Sequence, residues 1–331
     1  MRRRDFIAGL GGAAAAWPLA AGAQQGDRVR RVGMLIPWRE GDPDTEASMA
    51  MFVEALALTG WREGRNLHIE RRSTGGDLEL ARRYAKELVA QQPDVIFAES
   101  TLQTAAVQRE TRTIPIVFVA VTDPVGSGFV AGLAHPGGNI TGFTHQEASM
   151  AAKWVELVGK LAPGRKLMAA MYDPDTAPYV ESYYLPQFEA AVRSLKAQSI
   201  VLQIRSEAEL ETALTSLGQG PAAGLIVMPD SFMFVHRAQI IARAMQYRLP
   251  TLYFHVRWAR EGGLISYGPE TGTQYQLAAG YIDRILKGAS PADLPIQAPI
   301  KYEMTINLKT ARALGLVVPR GLLAIADAVI E

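Results

Sequence analysis

The chain has 331 residues, no cysteine, 48% apolar residues and a formal net charge of +1. That length fits one large or two ordinary domains with sizeable cores. The missing cysteines exclude disulfides, thiolate metal sites and a cysteine nucleophile, and the near-neutral charge gives no field to attract nucleic acid or an anionic membrane.

The first segment reads as an export signal spanning residues 1–23. Arg2, Arg3 and Arg4 precede a mild apolar stretch, and Ala21-Gly22-Ala23 forms an A-x-A cleavage site. The stretch is short and rich in Ala and Gly, whereas a membrane span needs roughly 20 strongly apolar residues. Arg3-Arg4-Asp5-Phe6-Ile7 also has the twin-arginine pattern. A mature chain of about 308 residues in the bacterial periplasm is expected. A basic tail on a cytoplasmic protein is the alternative. With no N-terminal Cys to carry a lipid, the exported chain would be free in solution.

Beyond the signal, short apolar runs alternate with amphipathic ones. Residues 31–37 (RVGMLIP) read as a buried strand and residues 45–58 as a helix, with Met49, Phe52, Val53 and Leu56 on one stripe. Residues 66–72 alternate as a strand, 77–91 form a helix, DVIFAES is a strand, 101–111 a helix and IPIVFVAV a strand. Strands that alternate with crossover helices imply a parallel sheet covered on both faces. A turn-rich stretch follows, marked by Pro136-Gly137-Gly138-Asn139.

Near residue 144 the alternation restarts. KLMAAMY, SIVLQIR, AGLIVMP and PTLYFHV read as strands, and residues 182–196, 207–217 and 231–247 as the helices between them. A helix at 274–286, an extended proline-punctuated segment, and helices at 308–314 and 322–330 complete the chain. Late pieces after two α/β units suggest interleaved domains with a cleft between two sets of strand ends.

The segments IPIVFVAVTDPVGSGFVAGLAHPGGNITGF, ISYGPE and INLKTARALGLVVP resemble the periplasmic substrate-binding proteins of ABC transporters related to tryptophan/tyrosine-binding components. The Asp123-Pro124 turn, the run from His135 to Asn139 and the Asn307-Leu308-Lys309-Thr310 helix start carry the resemblance, which extends over nearly all of the mature chain. It implies an α/β fold of the type I periplasmic-binding kind: two doubly wound parallel-sheet lobes, joined by crossovers around a central cleft. The expected N-terminal lobe is 28–142 plus about 268–298, and the C-terminal lobe 143–267 plus about 299–331. Crossovers are expected near Gly142, Tyr267 and Ile300.

The strand ends nominate ligand-binding residues. Trp38 could cover a ligand or pack on its own lobe. Ser100 and Thr101 stand at a strand-to-helix junction, where one caps the helix and where free N–H groups suit a carboxylate. Thr122 and Asp123 follow a strand, and Asp123 is equally explained as a turn-former before Pro124. Tyr172, Asp173, Asp230, Ser231, Phe232 and Tyr253 are the second-lobe candidates. Asp230 leads them, because Ser231 could cap the following helix by itself. Core and loop packing is the favoured reading of Tyr253, Phe254 and His255, and hinge positions that of Tyr267 and Glu270.

The acids suit an ammonium group and Ser100/Thr101 a carboxylate, which together favour an amino acid or related zwitterion. The expected function is the solute-binding component of an ABC importer. Its partners would be a small-molecule solute and an inner-membrane permease, and its state a monomer. A ligand-sensing module for a membrane receptor uses the same cleft. An α/β hydrolase is disfavoured, since neither G-x-S-x-G, G-x-G-x-x-G nor a P-loop occurs in the mature chain. The five histidines are scattered, with no H-x-x-x-H pair, so neither metal nor cofactor is expected.

Overall fold

The computed structural model describes residues 28–331. The export-signal reading lies outside the described residues.

β1 (Arg30–Ile36) is buried along most of its length and lies between β2 (Leu67–Ser73) and β3 (Val95–Glu99). β4 (Ile116–Val121) and β5 (Ile140–Thr144) extend the sheet in the order β2-β1-β3-β4-β5, with every pair parallel. Strands apolar on both faces require helices on both faces. One face is covered by α1 (Pro43–Leu58), through Met49, Phe52 and Leu56. The other carries α2 (Leu78–Ala90) and α3 (Ser100–Glu110), through Ala81, Ala85, Leu88, Ala106 and Val107. At Gly142 the β5 backbone approaches β4 so closely that a Cβ would stand 2.1 Å from the Phe118 carbonyl oxygen, and its φ of 151° also favours glycine.

The second sheet is larger. α4 (Met150–Leu161) leads to β6 (Leu167–Tyr172), then short α5 (Val180–Tyr183), α6 (Leu185–Ser194) and β7 (Gln198–Gln203). α7 (Glu207–Gln219), β8 (Ala223–Val227), α8 (Ser231–Val235), α9 (Arg237–Gln246), β9 (Thr251–Tyr253), α10 (Val256–Arg260) and β10 (Ile265–Pro269) follow. The chain then returns to the first lobe as α11 (Thr271–Leu286), whose Tyr275, Ala278, Ala279 and Ile282 fill the core beside α1. After a 3₁₀ turn (Pro291–Asp293) it crosses back as β11 (Tyr302–Asn307), α12 (Leu308–Ala313), α13 (Arg320–Leu323) and β12 (Ala328–Ile330). The strand order is β12-β11-β10-β9-β8-β6-β7, parallel except for β10 with β11. Among the described residues, three passages therefore join the lobes: after β5, after β10 and before β11.

Several elements differ from the sequence reading. The helix expected at 322–330 is instead α13 and the edge strand β12, because Ala328–Ile330 finds ladder partners in β11. The helix expected at 182–196 is broken at Tyr184, just ahead of Pro186 in the first turn of α6. The helix expected at 231–247 is broken at His236, whose φ of −93° and ψ of 13° leave the helical region. β9 stops early because the His255 ring accepts from the Arg257 N–H and starts α10.

Candidate functional site

The carboxyl ends of both sheets face one cavity. Its first-lobe wall comes from Trp38 after β1, Asp42 and Thr45 at the start of α1, Glu99 and Ser100 between β3 and α3, and Thr122 after β4. The second lobe supplies Tyr179, Asp230, Ser231 and Phe234 around α8, then Phe254, His255 and Arg257 where β9 gives way to α10.

Glu99 is the last residue of β3, and only 1% of it is exposed. The Tyr275 hydroxyl donates to its Oε2 at 2.6 Å, and the Trp38 side chain also bonds it. Burial pushes its carboxyl up to about 7, against the lowering effect of those two bonds. The helix that follows has no side-chain cap. Ser100 takes a left-handed backbone (φ 79°) and its hydroxyl donates to Gln103, so no serine–histidine pair forms there. Ser100, the first residue of α3, thus lines the cavity beside a buried acid, and a helix start next to an acid suits a group carrying both charges.

Asp230 occupies the matching place after β8 and also lines the cavity, but its carboxylate has other work. It accepts from the N–H groups of Asp173, Phe232 (2.6 Å) and Met233 (3.4 Å) and from the Thr176 hydroxyl (2.6 Å). Asp230, not Ser231, is therefore the side chain that caps α8. That corrects the expectation that Ser231 could cap alone. Burial raises this carboxyl to about 7 as well, opposed by the same bonds.

Of the sequence candidates, Trp38, Ser100, Thr122, Asp230 and Ser231 meet at the cavity; Phe254 and His255, read from sequence as core or loop packing, line it as well, and the remaining candidates stand outside its lining. Thr101 uses its hydroxyl to accept from the Thr122 N–H at 3.1 Å. Asp123 caps the turn at the Gly126 N–H (2.9 Å). Tyr172 points its hydroxyl at Glu181 and Gln203, and Asp173 accepts from the Asp175 N–H. Phe232 lies on the His236 ring at 4.1 Å, and Tyr253 stacks on Trp258 at 4.6 Å. Tyr267 and Glu270 flank the second passage between lobes.

Sequence reasoning overlooked Glu99, Asp42, Tyr179, His145, Phe234 and Arg257. Glu99 was within reach, as the residue preceding a helix that needed a cap. Tyr179 was not, because the loop between β6 and α5 carries no period. Its hydroxyl donates to the Pro229 carbonyl at 2.8 Å, and its ring end also meets Thr101 and Thr122 of the other lobe. His145, just past β5, sets its ring edge-on to Phe254 at 5.9 Å. Burial holds His145 down to about 3 and His255 down to about 4, so both are neutral. No group of His, Asp and Glu among the described residues could hold a metal ion.

The lobes touch directly. Trp38 packs on Phe234 across the cleft at 4.3 Å between ring centroids. Arg257 of the second lobe pairs with Asp42 of the first. Gly76 lies so near α8 that a Cβ would stand 2.9 Å from Val235 Cγ2.

A family model described as ABC transporter substrate binding protein matches residues 41–330. The Tyrosine-binding protein of Clostridioides difficile strain R20291 is 26% identical over 276 residues, 83% of this chain and 78% of that protein. Among solved structures, an ABC domain from Streptococcus pneumonia in complex with L-Trp aligns with a TM-score of 0.83 at 24% identity, covering 91% of this chain and 99% of that one. A ligand-free, open substrate binding protein with adhesive properties from Clostridium difficile gives 0.65 at 22% identity, covering 92% and 99%.

Proposed function

The chain belongs to the ABC transporter substrate binding protein family, whose members bind rather than transform their solutes, and from that premise we propose that it is the periplasmic component of an importer, closing two lobes around an amino acid. The observation that carries this reading is Glu99 beside the uncapped start of α3. The acid would take the ligand ammonium and the α3 N–H groups its carboxylate. A cationic group brought to Glu99 relieves the cost of ionising a buried acid. Trp38, Tyr179, Phe234 and Phe254 give the remaining wall an aromatic character that suits an indole or phenol side chain. The names of the tyrosine-binding and L-Trp-bound relatives point the same way.

The proposed lobes are 28–142 with about 268–298, and 143–267 with about 299–331. The proposed partner is an inner-membrane permease, and the proposed state a monomer. Export through the twin-arginine route belongs to the same reading. Replacing Arg3 and Arg4 by Lys should leave precursor in the cytoplasm, and normal periplasmic arrival would assign the general secretory route instead.

A thermal-shift screen of the mature protein, followed by calorimetric titration, tests the solute class. L-tryptophan or L-tyrosine should stabilise the fold by about 2.7 kcal/mol at a hundredfold excess over Kd. A protein that responds to sugars and to no amino acid would overturn the proposal.

A further inference from the structure

We propose that Arg257 and Asp42 form a latch at the mouth of the cleft, which sets how tightly solute is held by fixing the lobes shut. The latch rests on the two-lobe closing reading above, but not on which amino acid is bound. Arg257 projects from α10 in the second lobe, and Asp42 is the N-cap of α1 in the first. Their side chains are only 12% and 11% exposed, and the guanidinium Nη1 donates to Asp42 Oδ2. Asp44, on the same lip as Asp42, stands 3.5 Å from Arg257 Nε. Among the described residues, the ion pairs that reach from a first-lobe helix or its cap to a second-lobe helix all end on Arg257.

The arrangement around Arg257 suits a contact that must form and break. Glu261, one turn later, accepts from Arg257 Nε at 2.6 Å and is itself gripped by Arg237 at 2.8 and 3.1 Å. All of these groups belong to the second lobe, so they stay together when the lobes part. Glu261 therefore neutralises one edge of the guanidinium and aims the other at Asp42. Opening exposes a cation that keeps one partner, which makes the step less costly than stripping a buried charge bare. Asp42 is likewise held in place, accepting from the Thr45 N–H and hydroxyl at 3.1 Å each. Two pre-aimed charges of opposite sign also favour closure before any solute touches both lobes. In the closed form Arg257 already faces three carboxylates, so the solute carboxylate is left to the α3 N–H groups.

Asp42→Asn and Arg257→Gln test the latch. An Asn keeps the cap acceptor for Thr45 and removes the charge. Arg243→Gln, which breaks the Arg243–Glu211 pair inside the second lobe, is the control. Affinity is measured by calorimetry with L-tryptophan and L-tyrosine as probes, and the radius of gyration by small-angle scattering with and without probe. Each latch variant should bind about tenfold more weakly, mainly through faster dissociation, and the double variant no worse than either single one. Ligand-free Asp42→Asn should be more expanded than ligand-free wild type, while Arg243→Gln matches wild type in both readings. Unchanged affinity in Asp42→Asn and Arg257→Gln, or losses that add in the double variant, would sink the proposal. If neither probe binds wild type, the solute class is wrong, and the ligand-free radii alone decide the latch, equal radii overturning it.

Discussion

Glu99 and Asp230 hold the same station in the two lobes. Each ends the segment that leaves a buried parallel strand and enters a helix, each is almost fully buried, and each lines the cavity. They are used in opposite ways. The Asp230 carboxylate takes its bonds from the loop and helix of its own lobe and fixes them to one another. Glu99 is bonded by two ring systems that arrive from elsewhere, Tyr275 on α11 and Trp38 on the rim, and it leaves its helix uncapped. On the proposed reading, the first acid, held by its own loop and helix, is a brace, and the second, beside an uncapped helix, is a receptor.

The most severe test of that contrast is Asp230→Ala. It removes a helix cap and strands the buried donors of Asp173, Phe232 and Thr176, so a loss of about 2–4 kcal/mol in folding stability is expected. Denaturant melts of the variant measure it. Should stability hold while solute affinity collapses, Asp230 is a receptor too and the contrast fails.

Glu99→Gln should do the reverse. Gln still accepts from Tyr275, so the fold is retained. A charge-assisted hydrogen bond contributes about 1.5–3 kcal/mol, so affinity for an amino-acid probe should fall by roughly tenfold to a few hundredfold. Titration calorimetry reads this directly, and a drop below threefold would remove Glu99 from the site.

Gly76→Ala probes closure from the first-lobe side. It puts a methyl against Val235 and forces a φ of 80° on an L residue. Destabilisation of about 1 kcal/mol is expected together with a more open average shape. Scattering profiles identical to wild type with bound solute would show that the lobes do not close onto α8 at this point.

The smallest effect is the pH dependence of ligand-free stability, because buried groups of two kinds oppose each other. Glu99 and Asp230 hold their protons to about 7, so the folded state binds more protons than the unfolded chain from roughly pH 4 to 7. Their contribution is lost as pH rises through that window. His145 and His255, held to about 3 and about 4, refuse protons that the unfolded chain accepts, so stability falls as pH drops below the ordinary histidine range. Removing one acid should expose the imbalance. Glu99→Gln is expected to gain stability relative to wild type between pH 5 and pH 8, and the same gap at both values would show that Glu99 carries no buried charge.

Much of the fold was legible because parallel strands buried on both faces leave continuous apolar runs, as RVGMLIP and AGLIVMP do, and because amphipathic helices leave periodic ones. Where local and tertiary forces compete, the reading slipped. Residues 322–330 look helical in isolation, but the edge of β11 offered Ala328–Ile330 a ladder. The site was half legible. A strand end before a helix start predicts which residues stand near a cleft, hence Trp38, Ser100, Thr122, Asp230 and Ser231. It does not say where a side chain spends its hydrogen bonds, and on that point Asp230 and Asp123 were each available for a structural role.

The sequence by itself determined the alternation of strands and helices, the family, and the set of strand-end residues, since all of these are written in local periodicity and short motifs. Only the tertiary structure decided which of those residues face one another. Arg257 meets Asp42 across 215 positions of sequence, and Glu99 meets Tyr275 across 176. Such pairs depend on the chain crossing between lobes three times, and no local pattern records where a crossing brings two distant side chains together.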